Sequence, residues 1–129
     1  MPARLVLPLL AALSLALTGC GEPGPKLTPV SGKVVFKGQP LTSGSVFFHP
    51  AEGSTEPKDT PSSQLQLDGS FKLVSVPWGD GAKPGKYRVV LSSALAGGIK
   101  KPEYADPKKT PWVVDVPETG LTDHVLEVK

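Results

Sequence analysis

The chain has 129 residues, with 14 lysines and arginines against 12 aspartates and glutamates and a formal net charge of +2 at pH 7. Scattered, nearly balanced charge excludes the clustered basic footprint that nucleic-acid binding requires, and the length suits one domain. Fifteen prolines and fourteen glycines at short intervals exclude long helices, and one cysteine, Cys20, excludes an internal disulfide.

Met1 to Arg4 is a short basic start, and Leu5 to Leu17 is apolar except for Ser14. That run has the length of a signal-peptide h-region and is too short to span about 30 Å of hydrocarbon at 1.5 Å per residue. No later run is apolar enough to cross a membrane. Leu17-Thr18-Gly19-Cys20 closes the run, and small residues before a cysteine resemble the lipobox of bacterial lipoproteins. The resemblance implies that residues 1–19 are removed and that the Cys20 thiol carries a diacylglyceryl group. Acylation would consume a thiol that is otherwise a reactive liability in an exported protein, and two or three acyl chains anchor stably where one does not. Gly21 follows Cys20, and in bacteria that sort lipoproteins by an aspartate at that place the outer membrane is favoured. The expected location is thus exported, lipid-anchored to the cell envelope and facing the periplasm. Residues 20–28 read as acylated cysteine plus flexible tether, since Gly21 to Lys26 has no apolar side chain to bury.

Val30 to Phe36 alternates, with Val30, Val34 and Phe36 on one face and Gly32 among them. A missing side chain on an apolar face marks a bulge or a close backbone approach. Lys37-Gly38 is a turn with a glycine for positive φ. Ser45 to His49 is the next strand, with Val46 and Phe48 opposite Phe47 and His49, and Pro50 ends it. Ala51 to Pro61 is a polar loop. Leu65 and Leu67 alternate up to Asp68-Gly69, and Phe71 and Leu73 follow; that dipeptide between alternating runs predicts a hairpin. Trp78 to Lys83 is a second loop. Pro84-Gly85 opens the strand Tyr87 to Leu91, Ala94 to Pro111 is irregular, and Trp112 to Val116 and His124 to Val128 close the chain. The pattern predicts seven antiparallel strands and no helix: an all-β, Greek-key sandwich.

Three pieces in this order resemble a transthyretin-like, carboxypeptidase regulatory-like domain. They are Val30-Ser31-Gly32-Lys33-Val34 with Gly44 to Pro50, Leu67-Asp68-Gly69-Ser70-Phe71, and Gly85-Lys86-Tyr87-Arg88-Val89. Lys101 to Pro107, Thr110-Pro111 and the final strand pair are similar to small bacterial lipoproteins whose mature chain is one such domain. The resemblance implies a prealbumin (transthyretin)-like sandwich over residues 29–129 and no activity of its own.

His49, His124, Tyr87 and Tyr104 make up the residue types that intradiol dioxygenases use for ferric iron, but the histidines lack that family's close spacing. With no cysteine left as a ligand and no compact donor cluster, no metal and no cofactor are expected. Asp68 and Asp80 each precede a glycine and read as turn formers. Gly-x-Ser-x-Gly, His-Glu-x-x-His and phosphate-cradling glycine loops are missing, so no catalytic residue is assigned. Trp112 begins an alternating strand and suits the core. Trp78, in a glycine-rich loop, is harder to bury and could stack on a sugar or a partner. The doublets Lys100-Lys101 and Lys108-Lys109 read as solvated loop charge with at most a weak attraction to anionic headgroups.

The expected function is a non-catalytic interaction or structural module, held by membrane lipid through acylated Cys20 and contacting an envelope protein or glycan. The alternative is a ligand- or carbohydrate-binding lipoprotein whose mouth is formed by the loops around Trp78 and Tyr104.

Overall fold

The computed structural model describes residues 25–51 and 60–129, so the lipobox with Cys20 and most of the Ala51–Pro61 loop lie outside the described residues. Within them the chain is an all-β, two-sheet sandwich. Ten strands are present among the described residues: β1 (Val30–Phe36), β2 (Gln39–Pro40), β3 (Ser45–Pro50), β4 (Ser62–Gln64), β5 (Ser70–Lys72), β6 (Val74–Ser75), β7 (Gly79–Asp80), β8 (Gly85–Leu91), β9 (Val113–Val116) and β10 (Leu121–Val128). In one sheet β1 is central, with β10 along one side and β2 and β5 sharing the other. The second sheet runs β7-β6-β4-β3-β8-β9.

Alternation decides which face each strand buries. Val30, Gly32 and Val34 of β1 turn inward, as do Val46 and Phe48 of β3 and Tyr87, Val89 and Leu91 of β8. Phe71 of β5 and Leu126 and Val128 of β10, in the sheet of β1, complete the same core against β3 and β8. The close approach expected at Gly32 is real: a Cβ there would run into the carbonyl oxygen of His124, and the β1–β10 register shifts between Val30 and Gly32.

Three expectations need correction. First, β10 runs parallel to β1, with Lys33 beside Val125 and Phe36 beside Val128. The chain leaves β9 in one sheet, turns at Pro117–Gly120 and enters the other sheet beside the start of β1, where Leu121 N–H donates to the Pro29 carbonyl at 2.8 Å. Second, a short helix α1 (Ser93–Gly98) and a 3-10 turn (Pro102–Ala105) occupy the stretch read as irregular. One buried residue, Ala96, seats α1, and six residues are too few to show a helical period. Third, Leu65 and Leu67 are not in a strand. β4 lies earlier, Leu65 is buried as the chain leaves it, and Leu67 is exposed in the turn. Asp68-Gly69 does turn the chain, but β4 pairs in the six-stranded sheet and β5 in the other, so the turn crosses between sheets.

Candidate functional site

Trp78 lies in the turn of the β6–β7 hairpin, which also contains a cis Val76–Pro77 bond. Buried hydrogen bonds fix the base of this hairpin. Ser75 Oγ donates to the Gly81 carbonyl at 2.6 Å, Gly81 N–H donates to Leu73 O at 2.8 Å, and Thr28 and Ala82 exchange a backbone pair at 2.9 Å. With its base held, the hairpin presents Val76, 69% exposed, and Trp78, 45% exposed. The loop position makes Trp78 hard to bury, and about half of its surface is open to solvent.

Tyr104 is a correction. It is 2% exposed, its ring meets Trp112 edge-on at 4.7 Å, and its hydroxyl accepts the Lys129 N–H at 3.0 Å. Trp112, buried as expected, donates its indole N–H to the Glu127 carbonyl at 3.1 Å. The pair therefore fastens the segment before β9 to the end of β10, and no face of Tyr104 remains for a ligand. The two loops read as a mouth do not converge either. The Trp78 hairpin edges the six-stranded sheet at β7, while the 3-10 turn carrying Tyr104 packs on β8 near the other edge.

His49 stands on β3 opposite Arg88, and His124 stands on β10 beside Gly32 in the other sheet. Burial holds the His49 imidazole below its ordinary pKa, and its ring lies 6.5 Å from that of Phe47. Tyr87 is a core ring whose hydroxyl donates to the Lys83 carbonyl at 2.7 Å, a strand-corner role. The four side chains are thus spread over two sheets and a 3-10 turn. Asp68 accepts the Ser70 N–H at 3.0 Å, and hydrogen bonds from the Ser70 hydroxyl and amide hold its carboxyl below the usual range. Asp80 sits in β7 opposite Val74.

One concave site escaped the sequence reading. A cleft of about 560 Å³ opens where the β1–β2 turn, the residues after α1 and the end of β10 meet. Lys37, Lys100, Lys101 and Lys129 line it together with Phe36, Ile99 and Val128. Only the Lys100-Lys101 doublet is adjacent in sequence, so the gathering of four cations has no linear signature.

No protein-family model matches the chain, and no curated protein does. Among solved structures, the chain is similar to a DUF3823 family protein from Parabacteroides merdae, with 20% identity and a TM-score of 0.46. The match covers 82% of this chain and 47% of that one, so the present chain spans about half of its neighbour's length.

Proposed function

We propose that this protein is a non-catalytic, lipid-anchored module of the cell envelope that works by contact with another envelope protein. The observation that carries the contact is the apex of the β6–β7 hairpin, where Val76 and Trp78 are exposed on a base fixed by buried Ser75 and Thr28. A rigid aromatic held in water at a convex tip loses little conformational freedom when it is buried by a partner. The tether rests on Leu17-Thr18-Gly19-Cys20 and on the tract that follows. A transthyretin-like sandwich is the finer fold reading, and what supports it is the close approach of Gly32 to β10 and the Tyr87 hydroxyl bonded at a strand corner. A carbohydrate mouth is the weaker reading, because Tyr104 is buried and Trp78 does not line the cleft at the end of β10.

Crosslinking in intact cells tests the proposal. A partner adduct formed by the wild-type chain is expected to disappear with Trp78→Ser, while the variant remains membrane-bound and melts at the same temperature. An adduct pattern unchanged by Trp78→Ser would remove the hairpin from the contact.

A further inference from the structure

Lys37 and Lys100 have backbone conformations that lysine rarely adopts. Among the described residues three non-glycine side chains have positive φ, and two of them, Lys37 at 53° and Lys100 at 62°, line the same cleft. Lys37 and Gly38, the latter at 79°, are the two central residues of the β1–β2 hairpin loop, between the paired Phe36 and Gln39. Positive φ at both places is the mark of a type I′ turn, where Asn-Gly is the preferred pair. Lys100 follows the end of α1. Its own N–H donates to Gly97 O at 3.0 Å and that of Lys101 to Ala96 O at 2.8 Å, the closing pattern in which glycine is the usual residue. At both positions the backbone favours glycine or asparagine, and at both a lysine lines the same cleft.

We propose that this cleft is a binding site for a phosphate-type oxyanion. Lys37, Lys100, Lys101 and Lys129, each carrying an ammonium group, line it together with a floor of Phe36, Ile99 and Val128. A concave surface lined by an excess of one sign of charge over apolar walls focuses its field on whatever occupies it, and lysine is a ready partner for phosphate oxygens. The opposing charge on the lining is Glu127, whose carboxylate lies 3.4 Å from the Lys129 ammonium. Both side chains of that pair are well exposed, so it is weak and readily exchanged. The carbonyl end of α1 repels an anion less than an open helix end would, because the N–H groups of Ile99, Lys100 and Lys101 take the carbonyls of Leu95, Gly97 and Ala96. The cation–π contact of Lys37 with the Phe36 ring, 5.2 Å to its centroid, holds that ammonium over the floor.

The site stands at the Phe36 end of β1. The chain enters β1 at Val30, six residue steps or about 20 Å away. A phosphate could come from a lipid headgroup or from a free or polymer-borne ester. The site itself does not depend on acylation of Cys20.

The test uses the full chain in neutral-lipid nanodiscs at low ionic strength, with inorganic tripolyphosphate as the probe in calorimetry. The wild type is expected to bind saturably, and more weakly as salt rises. Lys37→Asn with Lys100→Gly gives each position the residue its backbone prefers. This variant should lose at least tenfold in affinity and melt no lower than the wild type. Lys108→Ala with Lys109→Ala removes the same charge elsewhere and should change the affinity by less than twofold. Equal weakening by the two double variants, or no saturable binding by the wild type, overturns the site. Nanodiscs containing phosphatidylglycerol separate the sources. Amide shifts at Lys37 and Lys100 before any tripolyphosphate is added assign the headgroup, and shifts only after its addition assign a free phosphate. Either result supports the site, and no shift in either condition overturns it.

Discussion

Phe48 lies between two other rings, 6.0 Å from Phe71 across the sheets and 5.8 Å from Tyr87 on the neighbouring strand. Removing one ring from so enclosed a place leaves a cavity that the sheets cannot fill. Phe71→Ala should therefore cost about 3–5 kcal/mol of stability, read from urea unfolding of the domain. Tyr87→Phe keeps the ring and loses the bond to Lys83, so about 1 kcal/mol is expected there. His49 adds a pH dependence. Burial lowers its pKa in the folded state below the ordinary value of about 6.5. Near and below that value the unfolded chain binds the proton more readily, so stability is full above about pH 7 and falls as the pH drops towards the folded pKa. Unfolding measured between pH 7.5 and 5 should show that loss, and His49→Gln should flatten it. These core positions are legible from alternation alone. Tyr104 is not, because its burial comes from Trp112 and the end of β10, which no local pattern announces.

At the scale of elements, the parallel contact of β1 with β10 depends on Gly32. Gly32→Ala forces a side chain against the backbone of His124, and the expected result is a lower melting temperature with β10 amides exchanging before those of β3 and β8. Trp112 works from the other side of β10 by bonding the Glu127 carbonyl. Trp112→Phe keeps most of the packing and should cost about 1–2 kcal/mol. Strands β1, β3 and β8 could be read from sequence because one face of each is buried. Leu65 and Leu67 imitate the same period beside a true turn, but β4 is made by Ser62, Ser63 and Gln64, whose pairing with β3 is not written in their hydropathy. Helix α1 is invisible for the opposite reason, since six residues with two glycines carry neither propensity nor period.

Among the described residues the two sheets carry nearly all the regular structure, so a β-rich circular dichroism spectrum with a small helical contribution is expected of the sandwich. Attachment and folding should be separable. Cys20→Ala is expected to abolish membrane retention in fractionation while leaving the melting temperature of the sandwich unchanged, because the core is built from residues between Val30 and Val128. Retention of the variant in the membrane would sink the lipobox reading.

The sequence by itself determined the all-β class, the inward faces of β1, β3 and β8, the close approach at Gly32, the exposure of Trp78 and the expectation of an acylated Cys20. Each is a local property, set by alternation, by a turn residue or by a short motif. Tertiary structure alone decided the direction of β10, the crossing at Asp68-Gly69, the burial of Tyr104 and the meeting of four lysines at one end of the sandwich. Alternation says which face a residue occupies but not which strand lies beside it, and Lys37, Lys100, Lys101 and Lys129 come from three segments that only the packed sheets bring together.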